Sequence, residues 1–165
     1  LKKNNFNSRK VFATTFEKRN SFNNGHVLLE VFSDKLGKFV CIDVDKKAIF
    51  FNRSKPLSLF EYSKALHENK RITIKFFSPF FLCDWNNFIE TKTNFHYGFI
   101  EHFSNSSSDQ IEKALARICQ IPYMQNKGTI TACAWNLKIK RHLQKNNPAW
   151  EILSPDDYML RYYDI

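Results

Sequence analysis

The sequence contains two β-rich runs on either side of a short polar stretch: GHVLLEVF at residues 25–32, SDKLG at 33–37 and KFVCIDV at 38–44. β-Branched and aromatic residues favour strands, whereas Ser, Asp and Gly favour turns. The pattern therefore predicts an antiparallel β-hairpin. With a four-residue loop at Ser33–Leu36, Phe32 would face Gly37 and His26 would face Asp43.

The predicted hairpin brings a histidine and a carboxylate to one face of the sheet. Directly opposed residues on antiparallel strands have Cβ atoms about 4.5–5.5 Å apart. At that distance Asp43 could orient the imidazole of His26, which is the base-and-orienter half of a catalytic triad. A five-residue loop would move Asp43 to the other face. Glu30 shares the His26 face, and we expect it to pair with a Lys or Arg.

The remainder of the chain predicts further strands and two helices. Strands are expected at Arg9–Thr15, Ala48–Phe51, Arg71–Phe77 and Trp150–Leu153. A helix over Leu59–Glu68 is indicated by the capping-box spacing of Ser58 and Glu61 and by a Leu57–Tyr62 staple. A second helix is expected from a cap at residues 106–109 through Gln120, ending before Pro122.

Two stretches stay ambiguous at this level. Pro79–Asn105 is rich in aromatic residues without a clear period, and Thr129–Leu143 fits a strand or a helix, with Ala134–Gln144 basic if helical. The elements together predict an α+β fold, with an antiparallel sheet and helices packed on one side. We expect a single domain over residues 1–165.

Composition excludes several protein classes. The 165 residues include 17 Phe, 6 Tyr and 3 Trp, which bury too much apolar surface for a disordered chain. Only 4 Gly and 5 Pro exclude a collagen-like chain. The formal charge is +9, concentrated in residues 1–20 and 138–145. Such clusters fit an anionic partner or an ordinary basic surface.

The four cysteines indicate buried thiols. Cys41, Cys83, Cys119 and Cys133 form no C-x-x-C pair, and their neighbours are mostly apolar. This favours a reducing, cytoplasmic compartment over a disulfide framework or a metal site. Apolar runs are too short to span a membrane, and residues 1–10 lack the hydrophobic region of a signal peptide.

The hairpin resembles the transglutaminase-like superfamily. The family pattern is G-H-x-x-x-E-V-aromatic, a turn, and G-x-aromatic-apolar-x-apolar-D, which residues 25–32 and 37–43 match. The resemblance extends over roughly Arg9 to Leu66, and KPLSL at residues 55–59 is also similar to bacterial members. Val44 departs from the pattern, since the family usually has Pro there.

The resemblance implies a papain-like fold in which His26 is the general base and Asp43 fixes its tautomer. The family nucleophile is a cysteine at a helix N-terminus, some tens of residues before the histidine. No Cys precedes His26 in this chain, so we expect the Cys-bearing helix upstream of Leu1. The alternatives are a lost nucleophile or a permuted one, with Cys133 as the candidate. Cys41 is set aside because a mid-strand thiol lacks a helix dipole.

The implied function is cysteine-dependent acyl transfer. A thiolate would attack an amide or ester carbonyl of a protein or peptide-like substrate, and the thioacyl group would pass to water or to an amine. We expect no cofactor and no metal. The alternative is a non-catalytic, cationic binding domain that keeps the fold without the nucleophile. The sequence leaves the oligomeric state open.

Overall fold

A computed structural model describes residues 7–16, 25–46, 48–76, 115–116 and 119–164. The strands are β1 (Ser8–Thr14), β2 (Gly25–Ser33), β3 (Lys38–Asp43), β4 (Ala48–Asn52), β5 (Lys55–Pro56), β6 (Thr73–Phe76), β7 (Ile121–Asn126), β8 (Thr129–Cys133) and β9 (Glu151–Leu153). The helices of eight or more residues in these ranges are α1 (Leu59–His67), α2 (Leu137–Asn146) and α3 (Pro155–Tyr162).

The strands form one mixed sheet in this part of the chain. Its order is β5-β4-β3-β2-β1-β7-β8-β9, and β6 also pairs with β4. The β8–β9 pairing is parallel and the other pairings are antiparallel. The predicted α+β class with a largely antiparallel sheet is confirmed.

The predicted hairpin is present as β2 and β3, but its predicted register was wrong by two residues. Phe32 pairs with Phe39, not with Gly37, and Ser33 pairs with Lys38. The reason is Gly37, whose φ of +61° belongs to a turn and not to a strand. The loop therefore covers residues 34–37. Because the shift is an even number of residues, every side chain stays on its predicted face.

Other local predictions agree with the structure. β1, β4, β6 and β9 occupy the expected stretches within a few residues. The predicted capping box begins α1, since the Glu61 N–H donates to the Ser58 hydroxyl and the Ser58 N–H donates to the Glu61 carboxylate. Most of the helix predicted to end at Gln120, and all of Pro79–Asn105, lie outside the described residues.

The helices do not all pack on one side, which corrects the prediction. α1 and α3 contribute Phe60, Tyr62 and Tyr158 to a core on the sheet face that also carries Val11 and Cys41. The second core, on the opposite face, contains Ile139 and Leu143 of α2 with Ile121, Ala132 and Ala134. Neighbouring strand residues alternate between the cores, as Ala132 and Cys133 do. The sheet is thus covered on both faces at its β7–β9 end.

Candidate functional site

His26 and Asp43 meet on the sheet face that packs against α1 and α3. The Nε2 atom of His26 lies 2.7 Å from Oδ2 of Asp43. His26 is 8% exposed and Asp43 is fully buried. In the observed register Asp43 lies opposite position 28, two residues along β2 from His26. The two side chains therefore meet diagonally and not directly across the ladder. The sequence predicted that these side chains share a face, and the structure brings them into contact.

The second oxygen of Asp43 is held by the chain that follows β3. Oδ1 accepts a hydrogen bond of 3.0 Å from the backbone N–H of Lys46. An aspartate that bonds a backbone N–H three residues ahead stabilises a local turn. Because each carboxylate oxygen has its own donor, the side chain is oriented with Oδ2 toward His26.

Lys46 is a buried cation beside this pair, and sequence reasoning missed it. Its side chain is 1% exposed, and burial lowers its pKa from 10.5 to about 8, against the opposing influence of Asp43 and Asp45. Burial disfavours the charged form of a lysine, while nearby carboxylates favour it. A lysine just after a hairpin, in a polar D-x-D-K stretch, is typically exposed to solvent. The local sequence therefore gave no indication that Lys46 is buried. Asp45 is exposed.

Glu30 anchors a network on the same sheet face. Its Oε2 is 2.8 Å from both Nε and Nη2 of Arg9, which confirms the expected pairing with a cation. Its Oε1 accepts from the Leu59 N–H at 2.8 Å and from the Tyr163 hydroxyl at 2.9 Å. The carboxylate therefore faces the N-terminus of α1, where negative charge is favourable. The Arg9 guanidinium lies between the rings of Phe39 and Tyr163, with centroids at 3.7 and 4.5 Å.

The cysteines in the described ranges have the environment of core residues. Cys41, Cys119 and Cys133 are free thiols and fully buried. Burial raises the pKa of Cys41 and Cys119 well above 9.0 and that of Cys133 to about 12. A catalytic cysteine needs the opposite shift. Cys133 also ends β8 before the N-cap Asn136 of α2, so it does not occupy the helix N-terminus.

Two further expectations concern metals and membranes. Within residues 7–16, 25–46, 48–76 and 119–164, no three His, Cys, Asp or Glu side chains gather in a way that could hold a metal ion. In the same ranges, no helix is long and apolar enough to cross a bilayer. Cys83 lies outside the described residues.

Comparison with known proteins adds no relative. No family model, no curated protein and no solved structure matches this chain.

Proposed function

We propose that the chain carries the His–Asp half of a transglutaminase-like, cysteine-dependent acyl-transfer site. The observation that carries the proposal is the buried His26–Asp43 contact of 2.7 Å, on a hairpin whose residues follow the family pattern. A buried carboxylate bonded to an imidazole fixes its tautomer and stabilises the imidazolium formed during proton transfer.

The two imidazole nitrogens have different roles in this proposal. Nε2 is bonded to Asp43, so Nδ1 would exchange protons with the reacting groups. The thiolate attacks the carbonyl carbon, and His26 gives its proton to the leaving amine as the C–N bond breaks. Water or a second amine then attacks the thioacyl carbon, His26 accepts its proton, and the C–S bond breaks to return the thiolate.

The nucleophile in this proposal is a cysteine other than Cys41, Cys119 and Cys133. The three described cysteines have raised pKa values, which argues against any of them as the thiolate. Their free, buried state fits a reducing compartment, so the proposal includes a cytoplasmic location. The substrate class is a protein or peptide-like amide.

The same raised pKa values support a second candidate. A domain that keeps the His26–Asp43 pair without an activated thiol would be a non-catalytic, cationic binding module. The two candidates differ in one measurable property, which is the presence of a thiolate whose reactivity depends on His26.

Alkylation kinetics of the protein test the proposal. We expect one cysteine to react with iodoacetamide at neutral pH at least tenfold faster than the denatured protein's thiols, and peptide mapping to place it outside Cys41, Cys119 and Cys133. His26→Ala should reduce that rate at least tenfold. His67→Ala is the matched control, since His67 is exposed at the end of α1.

The protein should also form a thioacyl adduct with a peptide amide or ester, visible by intact mass, and Asp43→Ala should reduce its rate of formation with the fold retained. If no thiol reacts faster than in the denatured protein, the acyl-transfer proposal fails and the binding module stands.

A further inference from the structure

We propose that β1, β2 and α2 form a binding surface for single-stranded nucleic acid. The surface lies on the sheet face opposite His26 and Asp43, and it uses none of the residues of the proposed acyl-transfer site. It has a cationic wall on α2, formed by Lys138, Arg141 and Lys145, and an apolar floor on β1 and β2, formed by Phe12 and Val27. We name the wall and the floor together the α2 surface.

The wall is a row of exposed cations without intervening acids. Lys138, Arg141 and Lys145 are exposed and recur at spacings of three and four residues, so they share one face of α2. The sequence of α2, LKIKRHLQKN, contains no acidic residue. Like charges at these spacings disfavour the helix, and a bound polyanion would remove that repulsion.

Contacts with Phe16 place Lys138, at one end of the wall, beside the end of β1. The Lys138 ammonium lies 5.3 Å from the centroid of the Phe16 ring, and His142 meets the same ring edge-on at 5.1 Å. Phe16 follows the end of β1, and its N–H donates to the Gln120 side chain at 2.8 Å. The Lys138–His142 side of α2 therefore faces β1 and the strands beyond it.

The floor next to this wall is apolar and partly open to solvent. Phe12 on β1 stacks on Tyr123 of β7, with ring centroids 5.2 Å apart, and pairs across the ladder with Val27 of β2. Val27 is 54% exposed, so it adds apolar surface that solvent reaches. Lys10 lies two residues before Phe12 on the same face and is exposed.

A flat apolar floor beside a row of cations matches the chemistry of single-stranded nucleic acid. Such ligands place bases against aromatic and apolar side chains and phosphates against Lys and Arg. A duplex would hide its bases from the floor, and an acidic polysaccharide lacks flat apolar groups. Charge complementarity and the apolar floor together favour single-stranded nucleic acid as the ligand.

Fluorescence anisotropy with labelled dT20 and rU20 tests this surface. We expect affinity to fall steeply between 50 and 200 mM KCl, because phosphate contacts release counterions. K138E/R141E/K145E should weaken binding at least tenfold. The matched control is K35E/K55E/R71E, which changes the net charge equally at exposed positions away from α2 and should alter affinity less than threefold.

Two further variants separate the wall from the floor. Arg141→Glu alone should weaken binding several-fold, and it serves if the triple variant does not fold. Phe12→Leu keeps an apolar side chain but removes the ring, and it should weaken dT20 binding about fivefold or more.

Three outcomes would overturn the proposal. They are an equal loss in the α2 and control triple variants, a duplex that binds as tightly as the single strand, and binding to heparin or an acidic peptide without binding to dT20 or rU20. None of these outcomes bears on His26, so this surface and the acyl-transfer site can fail separately.

Discussion

At the scale of single residues, two tyrosines of the C-terminal segment differ in one hydrogen bond. The Tyr163 hydroxyl donates to the Glu30 carboxylate at 2.9 Å. The Tyr158 hydroxyl is fully buried, and it meets no hydrogen-bond partner among the residues that the structure describes. Burial raises the pKa of both phenols well above 10.0, so both stay neutral at neutral pH.

We predict opposite effects of removing these two hydroxyls. Tyr163→Phe should lower the free energy of unfolding by about 1.5–3 kcal/mol, because it removes a hydrogen bond to a charged group. Tyr158→Phe should leave stability unchanged or raise it by up to about 1 kcal/mol, because it removes an unsatisfied buried group. Urea unfolding of both variants beside the wild type measures this, and a clear loss in Tyr158→Phe would contradict it.

The sequence was sufficient to predict that His26 and Asp43 lie together, but not to predict the surroundings of Lys46. Strand parity is enough to predict that His26 and Asp43 share a face, and an error of two in register does not change it. Parity says nothing about the chain after the strand, so it could not place the Lys46 N–H on Asp43 or bury the Lys46 side chain. Those depend on how residues 44–46 turn.

At the scale of elements, Glu30 joins four segments that are distant in sequence. Its carboxylate contacts Arg9 of β1, the first turn of α1 and the residue after α3, while it belongs to β2 itself. The Arg9 guanidinium also donates to the Tyr162 carbonyl at 2.5 Å. Glu30 and Arg9 therefore fix both helices of this face to the strand that carries His26.

We predict that Glu30→Ala is strongly destabilising. It should cost about 3–5 kcal/mol of unfolding free energy, since it leaves Arg9 without its counter-ion between two rings. Glu30→Gln, which keeps an acceptor for the Leu59 N–H, should cost less. Glu68→Ala is the matched control: its ion pair with Lys70 is exposed, so we expect little change. Equal unfolding midpoints for Glu30→Ala and Glu68→Ala would refute this role.

Elements that the sequence did not predict have identifiable physical causes. β7 contains Pro122, which indicated the end of a helix, yet Pro122 lies within the strand opposite Ala13. α3 follows a clear cap, in which the Ser154 hydroxyl accepts from the Asp157 N–H, but the helix has only eight residues and buries only Tyr158. Thr129–Leu143 was ambiguous because it contains both β8 and the start of α2.

At the scale of the whole molecule, buried titratable groups set how stability depends on pH. The thiols of Cys41, Cys119 and Cys133 have folded pKa values raised above 9.0, so the folded chain keeps protons that the unfolded chain releases. Their stabilising contribution to the free energy of unfolding is fully present below pH 9 and is lost as the pH rises above 9. Each thiol removes about 1.4 kcal/mol per pH unit in that range.

Lys46 acts in the opposite direction. Its folded pKa of about 8 is below the ordinary 10.5, so between these values the unfolded chain binds the extra proton. Stability contributed by Lys46 therefore rises with pH across this window, by about 3 kcal/mol in total. Below pH 8 Lys46 is charged in both states, and above pH 10.5 it is neutral in both, so its contribution changes only within this window.

We therefore predict that the wild type loses stability above pH 9, and that Lys46→Met loses it more steeply. The free energy of unfolding of Lys46→Met, relative to that of the wild type, should be highest below pH 8 and should fall by about 3 kcal/mol by pH 10.5. The reason is that the variant lacks Lys46, whose contribution rises with pH, and keeps the three thiols, whose contributions fall. Urea unfolding at half-unit pH steps measures the difference. Lys55→Met, at an exposed position, should follow the wild-type curve at every pH. Parallel curves for Lys46→Met and the wild type would show that Lys46 is solvated in the folded protein.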